Sequence, residues 1–442
     1  MGLLVLAPNA AAAPRVAVRV VPLFSPKLYA TRGAVGSLVP ASGSTVSRAT
    51  ALASLTRGKL ENALLGGKPQ GKPLISLGGP KAPVTIYVAL PPPGKHHNLD
   101  RYPIAIVGDG YRGLLLSSST HVPGLVSIAD VAPTVRSLER GEKPLLTSQP
   151  ARDAPAELET MNARLDAAHF ARKTSTRVLI GLVFGFAALA WLLRSPLFGR
   201  ASLLAIPAMV LASTIASALH VEHGIAWWSG AIALALALPL AFATRTPRRL
   251  AVALAALLVA YAGFLGVSRS TVSLAALGPH PEGGGRYFGL TNQVETLLLA
   301  PTLALLGLRG RVTVARAALA AAGVIALGLA LVGIDALTGG SSHVTHAVGG
   351  GPGRVLSDLG HRLHLSWRGI VNKTDHLEIA IVSLVTLVVL SLLRPRSRTL
   401  DALLVALAVS LAVNDSGFDI LRFGALVAIA VFTWSRTMRL RD

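Results

Sequence analysis

The sequence contains no cysteine, which excludes disulfide scaffolds, thiolate metal sites and cysteine nucleophiles together. Acids are scarce: 21 Asp+Glu stand against 42 Lys+Arg in 442 residues, and residues 1–108 hold only Glu61 and Asp100. Chemistry that needs clustered carboxylates, such as a two-metal centre, therefore has few places to sit. Charged residues are 14% of the chain and aromatics 5%, the opposite of the balance that keeps a chain disordered. Aliphatic residues fill the space: 52% of the chain is hydrophobic and the mean hydropathy is +0.57, too apolar for a soluble protein. The net charge of +21 raises the question of nucleic-acid binding. However, the basic excess is shared almost evenly between residues 1–177 and 178–442, so there is no basic domain and no nucleic-acid partner is expected.

The chain changes character near residue 177. Beyond it lie nine apolar segments, at 178–193, 203–219, 225–243, 250–267, 290–308, 315–334, 378–393, 400–413 and 420–434. Several approach the roughly 20 residues that cross about 30 Å of hydrocarbon. A backbone in lipid must satisfy its own hydrogen bonds, so the expectation is an all-α membrane domain of about nine transmembrane helices over 178–442. Alternate connections carry Arg194 and Arg200; Arg245, Arg248 and Arg249; Arg309, Arg311 and Arg316; and Arg394, Arg396 and Arg398. The tail adds Arg436, Arg439 and Arg441, whereas 220–224 and 414–419 have no Lys or Arg. This positive-inside pattern puts the C-terminus in the cytoplasm and the N-terminal domain outside a plasma membrane, with Arg172, Lys173 and Arg177 counting against it. Trp227 and Trp228 fall at an outer boundary, Trp191 and Trp434 at inner ones, as an aromatic belt requires.

Residues 1–14 read either as a shortened signal-sequence remnant or as an ordinary disordered N-terminus. Residues 15–150 form an expected extracytoplasmic α/β domain, with 151–177 as a linker. Val16–Val21, 84–90 and Tyr102–Val107 read as strands, and 45–57 and Val131–Arg140 as helices. The Pro-rich turn 91–94 leads into His96 and His97, and Asp109-Gly110 reads as a turn.

Two stretches of this domain carry a resemblance. G-A-V-G-S-L-V-P at 33–40 followed by T-V-S-R-A-T-A-L-A-S-L-T-R-G at 45–58 resembles the nucleophile region of the alkaline phosphatase/sulfatase superfamily. The run 113–134, ending D-V-A-P-T, resembles that superfamily's D-x-x-P-T element. The resemblance places Thr45 or Ser47 at the nucleophile position and implies two metal ions held by Asp and His. The chain departs from it where the first strand runs into P-L-F-S-P at 22–26 with no carboxylate, so no metal is assigned. A hydroxyl at a helix start also has the simpler role of an N-cap. The domain therefore reads as a degenerate pseudoenzyme that binds or scaffolds.

Three polar clusters fall on the outer side of the membrane domain in this topology. They are 278–295, 333–346 and the turn N-D-S-G-F-D at 414–419. The candidate substrate-binding residues are Glu282, Arg286, Asn292, Glu295, Asp335, His343, His346, Asn414, Asp415, Ser416 and Asp419. Asn292 and Glu295 lie three apart, on one helix face. Residues 400–413 rise only about 21 Å as a helix, so the 414–419 turn is expected to be recessed, where ionisable groups mark a functional site. The glycines of 283–285 bring backbone amides near an anion beside Arg286, without the spacing of a nucleotide loop, and no cofactor is assigned.

These elements, R-Y-F-G-L-T-N-Q-V-E, G-I-D and N-D-S-G, resemble those of bacterial, especially actinobacterial, polytopic envelope proteins with an outer alkaline-phosphatase-like domain. The resemblance implies the two-domain fold and the envelope location, and it specifies no reaction. Three readings stay open: binding or translocation of an anionic lipid or glycan precursor, a membrane-embedded hydrolase or transferase at the outer leaflet, and a non-catalytic scaffold. Without native cysteines, the topology has a direct test. Asp335→Cys and Ser416→Cys are expected to react with an impermeant maleimide from outside and Arg398→Cys only from inside; outside labelling of Arg398→Cys would overturn the orientation.

Overall fold

The structure, a computed structural model, describes residues 16–41, 45–60, 71–79 and 82–278, and helical residues at 297–298, 301–302, 305, 426–427 and 429–437. These fall into two compact units, one reaching Met161 and one starting at Asn162.

The first unit is built on a seven-stranded mixed sheet. Its strands are β1 (Val16–Val21), β2 (Gly33–Val39), β4 (Val84–Ala89), β6 (Tyr102–Val107), β7 (Gly113–Ser117), β8 (Leu125–Ser127) and β9 (Leu146–Gln149), in the order β1-β4-β6-β2-β7-β9 with β8 also on β2. A separate ribbon joins β3 (Thr45–Ser47) to β5 (Lys95–His97). The strands β1, β4, β2, β7 and β8 run one way, while β6 and β9 run against them. The central strand β2 is buried at every position, so its G-A-V-G-S-L-V sequence shows no alternation and carries no strand signal of its own. Short helices α1 (Lys27–Ala30), α2 (Arg48–Arg57) and α3 (Val131–Arg140) complete the unit. The expected strands Val16–Val21 and Tyr102–Val107 and helix Val131–Arg140 are present as read; the helix expected over 45–57 begins only at Arg48, because 45–47 pair as β3.

The second unit is helical. Its described elements are α4 (Ala154–Leu192) from Asn162 onward, α5 (Pro196–Ala218), α6 (Ile225–Ala243), α7 (Pro247–Val267) and the short α8 (Arg269–Ser273). The first four are long and apolar enough to cross a membrane. The stretch 154–177, set apart in the sequence as linker, is helical and continuous with the first apolar segment, so that α4 has 39 residues and a length of about 58 Å. The later apolar segments at 290–308, 315–334, 378–393 and 400–413 lie wholly or largely outside the described residues, as do 1–14, while 420–434 is described, as helix, at 426–427 and 429–434.

The core of this unit is α5. In its most apolar stretch 89% of the residues are buried, against 39% for α4 and α6 and 28% for α7. Small residues permit this. The face of α6 that is buried carries Ala226, Gly230, Ala233, Ala237 and Ala241, which let helix backbones approach. A side chain at Gly230 would meet Val178 Cγ1 of α4 at 2.7 Å. Helices are also joined through hydroxyls and two guanidinium groups, Arg164 Nη2 of α4 donating to Ser217 O of α5 at 2.9 Å. Ser202 Oγ donates to Val183 O at 3.1 Å, Arg200 Nε to Ala241 O at 2.9 Å and Ser217 Oγ to Thr271 O at 2.8 Å. Pro207 and Pro239 sit inside α5 and α6, as membrane helices tolerate. Trp227 and Trp228 are exposed at 70% and 58% beside the start of α6, whereas Trp434, expected in an interfacial belt, is 1% exposed. It packs against Gly199, where any side chain would strike Trp434 Cα and Thr437 Oγ1.

Candidate functional site

The five co-directional strands place their carboxyl ends along one edge of the sheet, where open α/β sheets hold their ligands. Almost every residue singled out in this domain collects there. Chain leaving β2 turns into β3 and α2, chain leaving β4 turns into β5, and chain leaving β7 and β8 supplies the 117–121 turn and Asp130.

The β3–β5 ribbon brings together residues that sequence spacing alone leaves apart. In its antiparallel register Thr45 faces His97, Val46 faces His96 and Ser47 faces Lys95. Directly paired residues share a face, so Thr45, Ser47, Lys95 and His97 line one side of the ribbon, and buried Val46 lies on the other with His96. His96 Nε2 is hydrogen-bonded to Pro93 O at 3.2 Å. Ser47, the hydroxyl at the nucleophile-like position, is the N-cap of α2: its Oγ accepts from Thr50 N at 3.2 Å and shares a 3.0 Å hydrogen bond with Thr50 Oγ1. Among the described residues neither Thr45 nor Ser47 is hydrogen-bonded to a histidine, the geometry that activates a hydroxyl. Arg48 donates through Nη1 to Pro91 O at 3.1 Å and Asn98 through Nδ2 to Ala41 O at 2.8 Å, so both fasten loops of this edge.

The second motif region is a structural tie. Asp130 is completely buried, and its carboxylate accepts from Ser117 Oγ at 2.5 Å and Ser119 Oγ at 2.7 Å. Ser117 Oγ also accepts from the backbone amides of Ser119 and Thr120, so one carboxylate fixes the whole 117–120 turn. Thr134 continues the link: its Oγ1 donates to Asp130 O at 2.7 Å and accepts from Leu146 N at 3.0 Å. On its other side Leu146 O accepts from Tyr111 Oη at 2.9 Å, and burial pushes the Tyr111 phenol up to about 12. Pro133 packs on Gly58, whose φ of 61° closes α2 and where a Cβ would lie 2.8 Å from Pro133 Cδ. The R-G end of the first motif and the D-x-x-P-T of the second are therefore in contact.

A two-metal centre of the kind the resemblance implies does not fit these residues. β1 ends at Val21 and leads into Pro22 with no carboxylate, Asp130 is completely buried against two serine hydroxyls, and no three His, Asp or Glu among the described residues could hold a metal ion. Ser117 and Ser119 escaped the sequence reading; their signal was the hydroxyl run S-S-S-T at 117–120 ahead of Asp130. The outer-side residues Glu282, Arg286, Asn292, Glu295, Asp335, His343, His346, Asn414, Asp415, Ser416 and Asp419 lie outside the described residues.

An α/β sheet unit ahead of helices with exposed apolar faces defines a membrane-associated protein. No protein-family model, curated protein or solved structure matches the chain.

Different costs follow for the two motif hydroxyl systems. Ser47→Ala removes a helix cap and is expected to lower stability by about 1 kcal/mol. Asp130→Asn leaves the buried Ser117 and Ser119 hydroxyls without their carboxylate and is expected to cost about 2–3 kcal/mol. Pulse proteolysis of the full protein in urea measures both, and equal costs, or none at Asp130, would contradict this assignment.

Proposed function

We propose that the chain is a multi-pass protein of the plasma membrane, with its sheet unit outside and its C-terminus in the cytoplasm. In this reading it binds or translocates an anionic lipid or glycan precursor at a polar site on the outer side of the helical unit. The observation that carries it is the segregation of charge around the apolar helices. Arg194, Arg245, Arg248, Arg249 and Arg436 are exposed near one set of helix ends, while the α5–α6 connection holds His220, Glu222 and His223 and no Lys or Arg. That distribution supports the positive-inside orientation, against which Arg172, Lys173 and Arg177 on α4 weigh. The orientation in turn gathers Arg286, Glu295, Asp335 and Asp415 on the outer side, where an arginine meets an anionic group and carboxylates accept from glycan hydroxyls.

A non-catalytic scaffold is the second reading, favoured by the N-cap role of Ser47 and the tying role of Asp130. It shares the membrane placement and differs in having no bound ligand. One experiment separates the two. The protein is extracted with its native lipid into polymer-bounded discs and its lipids are identified by mass spectrometry. An anionic lipid or lipid-linked glycan enriched over the parent membrane, and lost in the combined variant Arg286→Gln, Glu295→Gln, Asp415→Asn with the fold retained, is the expected result. The same lipid profile in both proteins would sink the binding site and leave the scaffold.

A further inference from the structure

The arginine-rich end of the helical unit carries a second feature that the outer polar site does not use. An open groove of about 460 Å³ runs between α4 and the helical residues 429–437. Its walls are apolar and partly aromatic: Phe184, Ala188 and Trp191 from α4, with Ile429 and Phe432 from the facing helix. This volume is in the range of small-molecule sites, and the stretch from Phe184 to Trp191 extends it over roughly 10 Å of helix. At one end Trp191 and Phe432 stack with ring centroids 6.1 Å apart. There the guanidinium of Arg436 lies over the Phe432 ring, Cζ at 5.8 Å from the centroid.

The stacked pair Trp191 and Phe432 thus joins the apolar groove to the charge of Arg436. A guanidinium over a ring face is drawn by the ring's quadrupole and retains N–H donors for a phosphate. The surroundings reinforce the sign of the charge. Arg200, near the start of α5, bonds to Ala241 O at the end of α6, which brings the Arg194 turn and the Arg245–Arg249 turn to the same end of the unit. Gly199 against Trp434 and Thr437 brings the end of the 429–437 helix there too. Among the described residues of this unit the only carboxylates are Asp166 and Glu222, on the first half of α4 and in the α5–α6 connection, at the opposite end.

We propose that this groove is a binding site for one anionic phospholipid, which lays an acyl chain between Phe184 and Phe432 and its phosphate on Arg436. The proposal rests on the membrane placement of the helices and on none of the outer polar residues, so its failure leaves the outer site standing. Trp191 in the wall supplies the probe.

The full protein is reconstituted in phosphatidylcholine vesicles and titrated with chain-brominated phosphatidylglycerol or, separately, chain-brominated phosphatidylcholine. The Trp191 signal is isolated by subtracting the Trp191→Phe protein. The expected result is saturable quenching, with phosphatidylglycerol effective at about fivefold lower mole fraction than phosphatidylcholine, as one interfacial arginine provides. Arg436→Gln, an exposed position, is expected to remove the fivefold preference and keep the melting temperature. Ala188→Phe, which narrows the groove, is expected to abolish the saturable component. Equal titrations by the two lipids, or a preference that survives Arg436→Gln, would overturn the site.

Discussion

The helical unit depends on one requirement: α5 has to lie inside, in contact with its neighbours on nearly every side. Between helices that are all apolar there is no hydrophobic drive to separate inside from outside in lipid, so close backbone approach and shared hydrogen bonds must hold them. The small residues of α6 provide the approach, and a larger side chain at Gly230 would press on Val178. Ser202, Ser217 and Arg200 provide the hydrogen bonds, each to a main-chain carbonyl on another helix. Around this packed centre α4 and α7 bury one face each, with Leu179, Phe186, Leu254 and Tyr261, and other large apolar side chains of α4, α6 and α7 are left on the outside. Phe184, Trp227, Phe242 and Val259 are exposed, where only lipid or another helix suits them.

In the sheet unit polar groups do the corresponding work. Asp130 binds the 117–120 turn, Thr134 carries the link to Leu146, and Tyr111 closes on the same residue from the other side. Ser47 caps α2, and Gly58 lets Pro133 settle on its end. Residues that look like a hydrolase's working parts thus act as fasteners at the edge where a ligand would sit. Asp130 is completely buried and holds two serine hydroxyls, so its carboxylate serves the local turn.

How much of this could be read in the sequence follows from which signals are local. Val16–Val21 and Tyr102–Val107 announce themselves by β-branched content, and Ile225–Ala243 by an unbroken apolar run. β2 did not, because a strand buried on both faces and rich in glycine has no period of two. The pairing of Thr45–Ser47 with Lys95–His97 was also hidden, since register across such a sequence distance is set by the sheet around it. Helix α4 was legible only in its second half; its first half is amphipathic, burying Leu158, Met161 and Leu165, and carries charges that read as linker. Trp434 misled for a comparable reason: an aromatic beside arginines has the composition of a belt residue, and only the glycine at position 199 reveals the packing.

Enclosure of α5, with its neighbours facing lipid, is measured directly by an apolar photoactivated carbene reagent dissolved in the bilayer. Peptide mapping of the reconstituted protein is predicted to find label on Phe184, Leu234 and Val259 and none along 203–210. Label along 203–210, or bare side chains at Phe184, Leu234 and Val259, would contradict it.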